Sequence, residues 1–100
     1  MKIKNLDSKK ILENVERKRK DLRKYGVKNI GLFGSYAKGK QHKKSDIDFL
    51  VEFNKIDADK FFSLLFFLEN MFKRKVDLVD IKKLRPELKY VKKEAKYVKI

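Results

Sequence analysis

Between positions 46 and 53 the side chains alternate without a break. Ile47, Phe49, Val51 and Phe53 are apolar, and Asp46, Asp48, Leu50 and Glu52 stand between them. A period of two marks an extended strand whose successive side chains leave opposite faces. The segment therefore belongs to a sheet with one face on a core and the other carrying Asp46 and Asp48. On one face of one strand these carboxylates lie roughly 6 to 7 Å apart. They repel each other, and folding gains nothing from like charges set side by side on a sheet. A divalent cation relieves that repulsion. Hard oxygen donors suit Mg²⁺ or Mn²⁺, and Mg²⁺ completes a shell of one or two protein carboxylates with water and substrate phosphates. The expected ligand is a metal-bound nucleoside triphosphate.

Elements on either side of this strand are legible from the spacing of apolar residues. Asp7-Ser8 caps a helix predicted over Ser8 to Lys24, with Ile11, Leu12, Val15 and Leu22 inward and Gly26 as its stop. Val27, Ile30, Leu32 and Phe33 form a short strand closed by Gly34-Ser35, and Tyr36 to Gly39 reads as one helical turn with Tyr36 against the sheet. Residues 40–45, His42 among them, form a polar loop. Asp57 or Asp59 caps a second helix with a core stripe of Phe61, Leu64, Leu65, Leu68, Met71 and Phe72. Val76 to Ile81 is a third strand, on which a one-residue slip exchanges Asp77 for Asp80 as the outward carboxylate. Pro86 opens a last helix, with Leu84, Leu88, Val91, Ala95 and Val98 as its buried stripe. The sum over residues 1–100 is one small α/β (α+β) domain: a mixed sheet of three or four strands, covered mainly on one face by helices. The opposite face is expected to be open and to carry Asp46, Asp48 and Asp77.

Phe62 and Phe66 fall outside the stripe of the second helix, on a flank where a surface helix is ordinarily polar. Two explanations stand: burial on a second side within the domain, or a docking surface for another protein.

Composition narrows the chemistry. With no cysteine and one histidine, thiolate nucleophiles, thiolate zinc sites and histidine triads are excluded. Catalysis has to run on carboxylates, hydroxyls, lysines and backbone amides. No apolar run approaches the roughly 18 to 20 residues of a membrane span; the longest, Leu64 to Leu68, also falls short of a signal-peptide core, so a cytoplasmic protein with no membrane partner is expected. Lys and Arg number 28 against 14 Asp and Glu, a net charge of +14, but the excess is spread over the whole chain. Such a distribution makes nucleic acid a secondary expectation, and homo-oligomerisation is left open.

Separated from Asp46 by ten residues, Gly34-Ser35 sits at a strand-to-helix junction. Glycine lets backbone approach a phosphate closely, and Ser35 offers its hydroxyl and amide to an anion. Lys38 is near enough to add charge, and Gly39 closes the turn. Neither a Gly-Ser pair nor one Asp-x-Asp says much alone; a short loop joining them, each on the right element, does.

This conjunction, Gly34-Ser35, ten residues, then Asp46-Ile47-Asp48, resembles the signature of the DNA polymerase β-like nucleotidyltransferases. The fuller strings Gly34-Ser35-Tyr36-Ala37-Lys38-Gly39 and Ser45-Asp46-Ile47-Asp48-Phe49-Leu50-Val51 look like the minimal nucleotidyltransferase (MNT) family. The likeness spans nearly the whole chain, including a last helix ending in Glu94 to Val98. Lys38 departs from the family's more frequent arginine, keeping the charge and losing the bidentate fork.

The resemblance implies transfer of a nucleoside monophosphate from a triphosphate to an acceptor hydroxyl, with release of pyrophosphate. It implies that Asp46 and Asp48 bind two Mg²⁺ ions (Mn²⁺ as substitute), that Asp77 is the third carboxylate, and that Gly34, Ser35 and Lys38 hold the triphosphate of ATP. Because many family members are encoded beside HEPN-domain ribonucleases, it further implies an antitoxin that adenylylates a tyrosine of a HEPN-type toxin; the surplus Phe62 and Phe66 read above offer that partner a place to dock. The alternatives are a catalytically silent module that neutralises its partner by contact, and a basic nucleic-acid-binding protein.

Overall fold

The computed structural model describes residues 5–55 and 58–100. The chain runs α1 (Ser8–Arg17), α2 (Arg19–Lys24), β1 (Val27–Phe33), α3 (Gly34–Lys38), β2 (Ile47–Phe53), α4 (Ala58–Phe72), β3 (Val76–Asp80), two 3₁₀ turns (Ile81–Lys83 and Pro86–Leu88), α5 (Tyr90–Glu94) and β4 (Lys96–Lys99). The sheet order is β3-β2-β1-β4; β1 is antiparallel to β2 and β4, and β2 is parallel to β3. A parallel neighbour requires a crossover, and α4 supplies it.

The alternation of β2 does what its period demands. Ile47, Phe49 and Val51 are fully buried with Ile30 and Leu32 of β1, and α1, α2 and α4 cover them with Ile11, Val15, Leu22, Leu64, Leu68 and Phe72. The Phe49 and Phe72 rings lie 6.1 Å apart at its centre. Tyr36 turns into the same core, as its sequence context predicts.

Three expectations require correction. The predicted first helix is two helices, because the chain leaves α geometry at Lys18, where three carbonyls of α1 compete for one N–H. The predicted last helix shrinks to Tyr90–Glu94: Pro86–Leu88 is a separate 3₁₀ turn with Leu88 exposed, Ala95 is extended, and Lys96–Lys99 pairs with β1 as a fourth strand. The spacing of Leu84, Leu88, Val91, Ala95 and Val98 suits a helix, yet Tyr97 and Val98 also suit a strand, and the free edge of β1 decides between them. Finally, the second sheet face is not bare. Leu50 on that face is fully buried, and the chain after β3 returns over it, so that Ala95 and the Tyr97 ring lie directly on Gly31. A Cβ on Gly31 would stand 2.7 Å from that ring.

The predicted cap at Asp57 lies outside the described residues. Asp59 falls in the first turn of α4. Phe62 and Phe66 remain 53% and 64% exposed, so a second buried side within the domain is not what holds them. Among the described residues no helix is long and apolar enough to cross a membrane.

Candidate active site

The open part of the second sheet face is the end where β1 finishes and β2 begins. Antiparallel pairing puts Phe33 opposite Asp48, and parallel pairing puts Asp48 beside Asp77. Asp48 is thus held between the Gly34 turn and the edge strand. Gly34 has φ +74°, the left-handed region that favours glycine, and a Cβ there would land on Asp48 Oδ2. Any side chain at 34 would displace the carboxylate as well as strain the turn.

Asp46 lies one residue before β2 and is half-buried, whereas Asp77 is exposed. Burial first, then the charge of Asp77, then that of Asp46, pushes the Asp48 carboxyl up to about 6. Asp46 and Asp77, both named from the sequence, are therefore each close enough to act on Asp48. Among the described residues no three acidic, His or Cys side chains are gathered tightly enough to enclose an ion. An open, oxygen-only, mutually repelling set suits a hard cation that takes its remaining ligands from water and phosphate.

Asp77 and Asp80 lie on opposite faces of β3. Asp80 sits on the core face opposite Val51, is buried, and accepts a hydrogen bond from the Lys82 backbone N–H at 3.0 Å, capping the first 3₁₀ turn. Asp77 shares its face with Asp48.

Ser35 opens α3 and is half-buried, and Lys40 donates its N–H to the Ser35 carbonyl at 2.9 Å. Lys38 is more than half exposed, with Nζ 3.8 Å from Glu94 Oε2. His42 lies in the exposed loop, its Nδ1 accepting from the Lys44 N–H and its own N–H donating to Ser45 Oγ, so it serves the turn. A cleft of about 410 Å³ opens here, lined by Gly34, Lys38, Asp77 and Val79 and, from the chain after β3, by Leu84, Leu88, Tyr90 and Glu94. Sequence reasoning missed that second wall, because it places Leu84 and Leu88 in the buried stripe of a continuous helix and Tyr90 on the core or flank of the same helix.

The match to known proteins follows the same geometry. A family model for the nucleotidyltransferase domain matches residues 8–99. The chain belongs to the nucleotidyltransferase family. Protein adenylyltransferase MntA of Thermococcus cleftensis is 41% identical over 83 residues, covering 80% of this chain and 84% of its own. Among solved structures, one provisionally named a minimal nucleotidyltransferase superposes with a TM-score of 0.80 at 27% identity, covering 94% of this chain and 98% of that one. A toxin–antitoxin complex with AMP-PNP gives a TM-score of 0.67 at 29% identity, covering 92% and 72%. The MNT antitoxin complexed with tri-AMPylated Shewanella oneidensis HEPN toxin gives 0.55 at 28% identity, covering 78% and 61%. This nucleotidyltransferase thus has the mixed four-stranded sheet of its structural relatives, and its Gly-Ser turn and acidic strand meet at one rim.

Proposed function

We propose that this nucleotidyltransferase transfers AMP from ATP to a hydroxyl of a partner protein, a tyrosine of a HEPN-type toxin, and acts as its antitoxin. The observation that carries the reading is the packing of Asp48 against Gly34 on one side and beside Asp77 on the other, which brings a phosphate-approachable turn to a carboxylate set. Related proteins named for protein adenylylation and for AMPylated HEPN toxin support the choice of nucleotide and acceptor.

In this reading the Gly34-Ser35 amides and the Ser35 hydroxyl receive the β and γ phosphates, and Lys38 exchanges its surface pairing with Glu94 for the triphosphate. Asp46, Asp48 and Asp77 hold the Mg²⁺ ions, with Mn²⁺ as a substitute. Bound there, the ions would supply charge neutralisation to the entering and leaving oxygens of an in-line displacement. Asp77, exposed at the sheet edge, takes the proton from the acceptor hydroxyl. The acceptor oxygen forms its bond to the α-phosphorus as the bond to pyrophosphate breaks.

A second groove, of about 540 Å³, lies along the other side of β3 between Leu78, Phe61 and Phe62, and it shares Val79 and Lys83 with the cleft. A protein resting on Phe62 and Phe66 therefore reaches Asp77 by passing around one edge strand. The test is labelling of the toxin from ATP. We expect transfer only with Mg²⁺ or Mn²⁺, its abolition in Asp46→Asn and Asp48→Asn, and weaker labelling in Phe62→Asp with Phe66→Asp. Full activity of either aspartate variant rejects the metal assignment. Stoichiometric toxin binding with no transfer favours neutralisation by contact instead.

A further inference from the structure

Phosphate recognition accounts for one wall of the cleft and leaves the other without a role. Gly34 and Lys38 stand on the α3 side; Leu84, Leu88 and Tyr90 stand on the side of the chain returning after β3. The walls face each other closely, since Lys38 and Glu94 bridge them at 3.8 Å. One wall is amide and cation; the other sets Leu84, Leu88 and the Tyr90 ring among the charged Lys83, Arg85 and Glu94. Tyr90 is 54% exposed, and among the described residues its side chain makes no hydrogen bond and no ring contact. The other tyrosine of this segment, Tyr97, is anchored by contrast: it lies on Gly31 and donates its hydroxyl to the Lys92 carbonyl at 2.8 Å. Folding thus gives a reason for Tyr97 and none for Tyr90. An amphipathic ring left open at the mouth of a cleft is a stacking platform in search of a flat partner.

We propose that Tyr90 stacks on the nucleobase of the bound triphosphate, with Leu88 beside it. The inference rests on the placement of the phosphates at Gly34-Ser35 under the proposed function. A triphosphate held there has its base at the far end of the molecule, and the Tyr90 ring with Leu88 is the flat, apolar part of the opposite wall suited to receive it. Because every base has a π-face, the contact raises affinity for nucleotides over bare polyphosphate and discriminates weakly among bases.

The test is calorimetric titration of the full chain, in Mg²⁺, with ATP and separately with inorganic tripolyphosphate. Tyr90→Ala is expected to weaken ATP binding about tenfold while tripolyphosphate binding stays unchanged, and Tyr90→Phe, which keeps the ring, is expected to restore most of the ATP affinity. Equal losses for both ligands, no loss for either, or a phenylalanine variant as weak as alanine each overturn the stacking role. A wild-type chain that binds neither ligand removes the phosphate site itself, and the stacking with it. Binding of tripolyphosphate as tightly as ATP by the wild type keeps the phosphate site and rejects the base contact alone.

Discussion

The two faces of the sheet are built on opposite terms. On the helical face, β2 contributes Ile47, Phe49 and Val51, all fully buried under α1, α2 and α4. On the cleft face, the same strand contributes Asp48, half-buried against Gly34 and pressed by two other carboxylates. One face gains free energy from burial; the other retains a repulsion that a bound cation or a proton relieves. The difference teaches where stability and activity should separate.

The largest effect belongs to the helical face. Phe49→Ala deletes a fully buried ring at the centre of the core and is expected to cost about 3 to 5 kcal/mol, enough to unfold much of a chain this small. Chemical denaturation measures it, and a loss under about 1 kcal/mol would place the core elsewhere. Next comes Gly34→Ala. It forces a left-handed φ on alanine and drives its Cβ into Asp48, so a stability loss of about 1 to 3 kcal/mol is expected together with loss of nucleotide transfer.

Asp48→Asn should have the opposite sign on stability. The folded state holds the Asp48 proton more tightly than the unfolded chain, with a pKa raised from 3.8 to about 6. This group's contribution to stability is therefore fully present below pH 3.8 and is lost as pH rises through about 6. At pH 7 without metal, the neutral amide should raise stability by on the order of 1 kcal/mol once solvent screening is allowed for, while abolishing transfer. Thermal melts of both proteins between about pH 4 and 8 check the sign: the wild-type slope over that range should flatten in the variant. If the Asp48→Asn protein melts lower than wild type at neutral pH, the crowding of carboxylates is not the strain described here. The smallest effect belongs to the exposed flank of α4. Phe66→Ser should change stability by no more than about 0.5 kcal/mol and, under the proposed function, lower binding of a HEPN-type partner, measured by titration.

How much of this was legible beforehand depends on the range of the interaction involved. The strand at β2, the turn at Gly34 and the core stripe of α4 are local patterns, and each formed where its period placed it. The break at Lys18 and the conversion of Lys96–Lys99 into a strand were not legible in that way. Val98 fits a helix stripe and a strand equally well, and the unpaired edge of β1, far upstream in the chain, is what selected the strand. The wall carrying Tyr90 was missed for the same reason.

A shorter example is Asp77 against Asp80. Three residues apart on one strand, they necessarily face opposite ways, and that much follows from backbone geometry alone. Which of them joins Asp48 depends on the register between β2 and β3, set by how α4 delivers the chain back to the sheet. The amino-acid order by itself determined a half-buried acidic strand, a glycine turn ahead of it and a helix rich in phenylalanine, since hydrophobic period and backbone permissiveness act over a few residues. Tertiary structure decided which carboxylates share a face, which edge received a fourth strand and what forms the far wall of the cleft. Those outcomes turn on pairing between distant segments, where several registers satisfy the local pattern and only packing distinguishes them.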